Sequence, residues 1–142
     1  MSRVFNRSLL LTTAIRFLEK EYGEEISDRL AGWKNEKTRR EWRRISEETG
    51  RNDPEYLFRL FSDEVHDYEV IRKEENALEV KVHRCAHADS FKELNECHIG
   101  MKMICMGDYA VVEGFNPEIR FERPKTLMAG DEICHFIFKL KR

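Results

Sequence analysis

The chain has 142 residues, of which 25 are Lys or Arg and 27 are Asp or Glu, so its formal net charge is −2. This balance argues against attraction of the whole chain to nucleic acid or to a membrane surface. No apolar run approaches the roughly 20 residues of a membrane span. We therefore expect a soluble, cytoplasmic, single domain over residues 1–142, large enough to fold with its four cysteines reduced.

In the N-terminal part of the chain, residues 8–66, apolar residues recur with helical periodicity. Apolar residues recur at helical spacing from Ser8 to Tyr22, and Gly23 supplies a stop signal. The pattern predicts a second, highly charged helix over residues 24–49, closed by the glycine that follows it.

The second helix carries a basic run from Lys34 to Arg44. Such a run is typical of a solvated helix face, so we do not expect a nucleic-acid site there. Farther along, Asp53 and Pro54 predict the start of a third helix, because an N-cap residue precedes a proline at the first helical position. Its apolar face would contain Leu57, Phe58 and Phe61.

From Tyr68 onward, apolar residues recur at every second position instead of at helical spacing. This change predicts a core of mixed strands and helix over residues 68–140. Four alternating stretches predict strands that pair within two hairpins, 68–73 with 77–83 and 118–122 with 133–140. A helix over residues 97–113 is predicted between these pairs. The chain is therefore expected to be α+β, with N-terminal helices packed on a twisted antiparallel sheet and a central helix between the two strand pairs.

The predicted central helix contains a thiol and a carboxylate one turn apart, Cys105 and Asp108. Met101 and Val112 lie on the same face, which we expect to pack against the sheet. An ionised carboxylate on such an apolar face must find partners or become neutral. Asp108 is therefore the first candidate for a functional side chain.

Cysteines and histidines in the second half suggest a metal site. A zinc or another divalent ion could be held by Cys85, Cys105 and Cys134, helped by Asp108 or His87. No close C-x-x-C pair supports this, and buried cysteines also pack as small apolar groups. Both interpretations stay open from the sequence.

Three further residues are candidates for binding a substrate. Arg123 lies at the end of a predicted strand and would either grip a ligand carboxylate or pair with a neighbouring acid. Thr126 follows it closely in the chain. Glu113 lies at the end of a helix, where the helix dipole disfavours a carboxylate, so it is either held for a ligand or simply solvated.

Several motifs occur together in a fixed order: Arg84-Cys85, Ala88-Asp89, Cys105-x-x-Asp108, Glu113-Gly114-Phe115-Asn116-Pro117, Phe121-x-Arg123-x-x-Thr126 and Gly130-Asp131-x-x-Cys134. As a set they resemble the L-2-amino-thiazoline-4-carboxylic acid hydrolase family, and the resemblance covers about residues 8–140. The last motif also resembles the vinyl-4-reductase type of ligand-binding domain, whose fold is shared with TRAPP vesicle-tethering subunits.

The resemblance implies an α+β fold and the hydrolytic opening of a cyclic amidine to an N-carbamoyl product. Catalysis would fall to Cys105 or Cys134 as a nucleophile, or to Asp108 as the group that activates water or holds the amidinium. Arg123, Glu113 and Thr126 would bind substrate. Some members of the wider group bind zinc through cysteines and a glutamate, but here Arg123 and Thr126 stand at two of the corresponding positions.

A second interpretation is a non-catalytic module that binds a small molecule or a metal in the same pocket, as a sensor or as part of an assembly. The sequence gives no required cofactor, and it leaves a homo-oligomer open. Turnover of a cyclic amidine distinguishes the two interpretations.

Overall fold

The structure is a computed structural model that describes residues 2–141. This part of the chain contains helices α1 Arg3–Tyr22, α2 Glu25–Thr49, α3 Ala86–Glu93, α4 Cys97–Gly100 and α5 Gly107–Phe115, and strands β1 His66–Glu74, β2 Ala77–Cys85, β3 Ile119–Glu122 and β4 Cys134–Leu140. Short 3₁₀ helices cover Pro54–Leu60 and Leu127–Ala129, and a π-helical segment covers Met101–Cys105.

The strands form one sheet in the order β1-β2-β4-β3, and every neighbouring pair is antiparallel. Both predicted pairings, 68–73 with 77–83 and 118–122 with 133–140, are confirmed. The two hairpins become one sheet because β2 also pairs with β4, in a register that places Val80 opposite Phe136. The predicted α+β class is therefore confirmed.

Alternation along β2 and β4 gives the sheet one buried face and one wetter face. The buried face belongs to the core and includes Leu78, Val80, Val82, Cys134, Phe136 and Phe138. On the opposite face, His135 Nε2 lies 2.6 Å from Glu79 Oε2. Cys134 and His135 thus face opposite ways, which prevents them from sharing one metal ion.

The two N-terminal helices, α1 and α2, follow the sequence prediction closely. Helix α1 begins at Arg3 rather than at Ser8, because Ser2 Oγ accepts a hydrogen bond of 3.0 Å from the Phe5 N–H and caps the first turn. Helix α2 ends as predicted, with Gly50 in the left-handed conformation at φ 68°. None of the helices in residues 2–141 is long and apolar enough to cross a membrane.

The predicted third helix is only a 3₁₀ helix, Pro54–Leu60. Its start at proline is as predicted, but Asp53 does not cap it. The Asp53 carboxylate instead binds Arg51 through two hydrogen bonds, of 2.6 and 2.8 Å. Leu57 is completely buried and Phe61 nearly so, which fixes this turn on the core.

The central helix predicted over 97–113 is not continuous, because it is divided into α4, the π-helical segment and α5. Met103 and Val112 from this region belong to the same core as the buried face of the sheet. Helix α5 also packs closely on α2, since a Cβ atom at Gly114 would lie 2.3 Å from the Arg39 carbonyl oxygen. Helix α3 was not predicted.

Candidate functional site

A partly enclosed cavity of about 140 Å³ lies between the buried face of the sheet and the π-helical segment. Most of its wall is apolar, with Phe61, Val82, Ile104 and Phe136 among the lining residues. The remaining wall brings together residues that could carry chemistry: Asp108, Arg123, Cys85, Cys105, Cys134, His66 and His87. Six of these seven, all except His66, were singled out from the sequence as catalytic, substrate-binding or metal-binding candidates.

An ion pair between Asp108 and Arg123 forms the polar centre of the cavity. Asp108 lies in the first turn of α5, and Arg123 directly follows β3. The Arg123 Nη1 atom donates to Asp108 Oδ2 at 2.8 Å. Only 3% of the Arg123 side chain is exposed, and its guanidinium lies 5.5 Å from the ring centroid of Tyr109 and 5.5 Å from that of Phe136. The guanidinium is therefore fixed by both charge and packing.

The π-helical segment places Asp108 and frees backbone carbonyls for side chains. The Met106 N–H binds the Met101 carbonyl at 2.9 Å, five residues back, so the regular α-helical ladder is broken there. Arg123 Nη2 donates to the Cys105 carbonyl at 3.0 Å, and Lys34 Nζ donates to the Met103 carbonyl at 2.6 Å. Two cations, one from α2 and one from the end of β3, thus bind this segment.

Lys34 reaches the π-helical segment from α2, across the start of α5. Gly107 makes this approach feasible, because a Cβ atom there would lie 2.9 Å from Lys34 Nζ. Burial lowers the pKa of Lys34, while the charge of Asp108 works in the opposite direction. The lysine is therefore an electrostatic neighbour of the cavity rather than part of a solvated surface.

The Asp108 carboxyl group has a pKa above that of an ordinary aspartate. Burial raises its pKa to about 6, while the charge of Arg123, the hydrogen bond from Arg123 and the charge of Lys34 all lower it. The Asp108 side chain is 27% exposed, and the residue lines the cavity. A carboxyl group with such a pKa can exchange a proton with a bound molecule at physiological pH.

The three thiols on the cavity wall are uncharged at neutral pH. Burial raises the pKa of Cys105 to about 12, which outweighs the opposing charge of Arg123. Burial also raises the pKa values of Cys85 and Cys134. The Cys134 Sγ atom accepts a hydrogen bond of 3.2 Å from the Leu127 N–H. Because the thiolate is the nucleophilic form, these protonated cysteines are weak nucleophiles toward a bound substrate.

The cavity does not fit the metal site that the wider kinship implies. Cys85, Cys105 and Cys134 line the same cavity, but no three His, Cys, Asp or Glu side chains within residues 2–141 are arranged to hold a metal ion. The permanent positive charge of Arg123 beside Asp108 also opposes a second cation there. We therefore assign no metal to these residues.

Two predicted substrate-binding residues lie outside the cavity wall. Glu113 is more than half exposed, and its Oε2 atom accepts from Arg39 Nε at 3.0 Å. Thr126 is buried, and its N–H donates to Asp131 Oδ2 at 2.8 Å, which stabilises the turn before β4. Both residues therefore have structural partners.

Sequence reasoning missed Lys34 and His66 as parts of the site. Lys34 was assigned to a solvated helix face, and nothing in its charged surroundings marks it as the residue that turns inward. His66 stands just before the first alternating stretch, so it was assigned no role. A weak signal was available for His87, which stands two residues from Cys85 and was considered only as a metal ligand.

Fold and site together define an α+β domain with a small cavity that holds an ion pair. The model of the L-2-amino-thiazoline-4-carboxylic acid hydrolase family matches residues 1–138, and the chain belongs to this family. No curated protein matches the chain significantly.

A solved structure supports the fold. The chain is similar to a trafficking protein particle complex subunit 3 from Naegleria fowleri covalently bound to palmitic acid, with a TM-score of 0.50 and 13% sequence identity. The match covers 98% of this chain and 95% of that chain. The resemblance to both the hydrolase family and the TRAPP fold is thus confirmed.

Proposed function

We propose that this protein is a hydrolase that opens a small cyclic amidine bearing a carboxylate, of the 2-amino-thiazoline-4-carboxylate type, to an N-carbamoyl product. The observation that carries the proposal is Asp108, a cavity carboxyl group with a pKa of about 6. A general base works best when its pKa lies near the working pH. The family to which the chain belongs supports the same type of reaction.

The size of the cavity favours a single small ring. Its volume of about 140 Å³ is close to the roughly 150 Å³ of a cavity that holds one benzene molecule. A long acyl chain, such as the palmitic acid on the TRAPP subunit, would need a much larger channel. The cavity therefore supports a cyclic substrate better than a lipid.

In the proposed reaction, water attacks the amidine carbon between the ring nitrogen and sulfur while Asp108 accepts a proton from that water. Asp108 then gives this proton to the sulfur as the carbon–sulfur bond breaks, and the hydroxyl proton passes to the ring nitrogen, so that the carbon keeps the oxygen as a carbonyl. The sum is one substrate and one water giving one N-carbamoyl amino acid with a free thiol. Asp108 ends the cycle ionised.

Arg123 acts on Asp108 in this proposal rather than on the substrate carboxylate. Its guanidinium already donates to Asp108 and to the Cys105 carbonyl, so it orients the base and favours the ionised form. Of the two routes open from the sequence, attack by water is preferred to attack by Cys105. A thiol with a pKa of about 12 contributes little thiolate at neutral pH.

The test is an assay of the purified protein with 2-amino-thiazoline-4-carboxylate. Release of free thiol, together with a mass gain of one water in the product, is expected over many turnovers per molecule. The Asp108→Asn variant should lose about a hundredfold or more of the turnover per folded molecule. Tight binding of the ring without product would instead support the non-catalytic binding module.

A further inference from the structure

His66 is a second polar group in the cavity that the proposed reaction does not yet use. It is the first residue of β1, and its half-buried ring lines the cavity together with His87. Its ring centroid lies 5.6 Å from that of Phe61. The His66 Nδ1 atom accepts a hydrogen bond of 3.2 Å from the Ser62 N–H.

This hydrogen bond determines the tautomer of the ring. A neutral imidazole has one donor nitrogen and one acceptor nitrogen, so acceptance at Nδ1 places the proton on Nε2. Burial, helped by the neighbouring His87, lowers the pKa of His66 to about 4, and the ring stays neutral. Among the described residues, no side chain or backbone group forms a hydrogen bond with Nε2.

The substrate carboxylate needs a donor other than Arg123. That guanidinium is nearly inaccessible, and it already donates to Asp108 and to the Cys105 carbonyl. A carboxylate is a strong acceptor, and hydrogen bonds with one ionised partner are about twice as strong as neutral ones. The Nε2–H of His66, a residue that lines the cavity, is a suitable partner.

We propose that His66 is the specificity-determining residue of the cavity and binds the carboxylate of the ring substrate through its Nε2–H. The assignment rests on the proposed function, because it takes the substrate to be a small ring with a carboxylate. It places the carboxylate at the His66 side of the cavity and leaves the amidine carbon for Asp108. The protein would then discriminate between a carboxylate and the matching amide.

The test compares two ligands that cannot be ring-opened easily, because their ring is aromatic: 2-amino-thiazole-4-carboxylate and its 4-carboxamide. Calorimetry should show that the wild-type protein prefers the carboxylate by about ten- to a hundredfold. His66→Phe should abolish this preference, whereas His66→Gln, which keeps an N–H donor, should retain most of it. His83→Phe, an exposed histidine on β2, is the matched control and should bind like wild type.

A second measurement does not depend on a variant that folds. In ¹⁵N NMR spectra of the wild-type protein, His66 should appear as the Nε2-protonated tautomer, and its Nε2 signal should shift with the carboxylate but not with the carboxamide. An Nδ1-protonated ring would overturn the assignment. An unchanged carboxylate preference in folded His66→Phe would overturn it as well, while leaving the proposed function intact. If wild type bound neither compound, the His66 assignment would fail, whereas the turnover assay would decide the proposed function separately.

Discussion

Arg123 Nη1 and Asp108 Oδ2 lie 2.8 Å apart, and this contact joins the end of the third strand to the first turn of α5. A buried arginine of which only 3% is exposed depends on this partner, and the carboxylate in turn depends on the arginine for its charge. The pair therefore has two roles, since it joins two elements of the fold and also prepares the proposed base.

Replacing Arg123 by Met should lower the free energy of unfolding by about 3–5 kcal/mol at pH 7, because it leaves a desolvated carboxylate without its partner. The loss should shrink as the pH falls toward about 6, since the pKa of Asp108 rises without Arg123 and a protonated carboxyl group needs no cation. Urea unfolding at pH 7 and at about pH 6 measures this difference.

The control is the Asp108→Asn/Arg123→Met double variant. Because it removes both charges, it should recover part of the stability that either single variant loses. Additive losses in this cycle would show that the two side chains are not coupled.

Cys105→Ala should keep turnover of the cyclic amidine within a few-fold of wild type. The physical reason is that burial raises the pKa of this thiol to about 12, so water, not the thiolate, is the proposed nucleophile. Steady-state kinetics with the cyclic amidine provide the measurement, and Cys134→Ala serves as a second case. A loss of a hundredfold in folded Cys105→Ala protein would favour the nucleophilic cysteine instead.

Gly114→Ala tests the close contact between α2 and α5. A Cβ atom would lie 2.3 Å from the backbone oxygen of Arg39, which cannot rotate away, so the variant should lose roughly 1–3 kcal/mol of stability. Gly32→Ala is the matched control on α2, because nothing lies within 4 Å of its Cβ position. It should gain about 0.5–1 kcal/mol from reduced backbone entropy. Equal effects of the two substitutions in thermal unfolding would contradict the packing.

Much of the fold follows from periodicity in the sequence. Alternation from Tyr68 onward gave both hairpins, and the glycines at positions 23 and 50 marked the ends of the first two helices. Helix α3 was missed because it is short and its buried apolar residues, Ala88 and Phe91, are too few to make a periodic pattern.

The site was only partly predictable for two physical reasons. A π-helical turn has no distinct apolar period, so the interruption at Met101–Cys105 cannot be seen in the sequence. Asp108 was identified as a charge on an apolar helix face and Arg123 as a cation at the end of a strand, but only the tertiary structure shows that they bind each other. For the same reason, Lys34 could not be distinguished from the exposed lysines near it.

Lys34→Met should raise the pKa of Asp108 above about 6, because it removes a positive charge that favours the carboxylate. The titration of the Asp108 carboxyl carbon by ¹³C NMR measures this pKa without any need for turnover. Lys37→Met on the exposed part of α2 is the control and should leave the titration unchanged. An unchanged Asp108 titration in folded Lys34→Met protein would show that the lysine acts only as a structural tie to the π-helical segment.

The central claim is that ionised Asp108 acts as the base in the opening of a cyclic amidine, and the pH dependence of kcat/KM for wild type tests it most directly. With 2-amino-thiazoline-4-carboxylate as substrate, kcat/KM should rise with pH through a midpoint near the Asp108 pKa of about 6, because the base must lose its proton before it can accept one from water. The profile of residual activity in Asp108→Asn should lack this midpoint. A kcat/KM that does not change with pH around 6, or a folded wild-type protein that binds the ring and releases no thiol, would contradict the account.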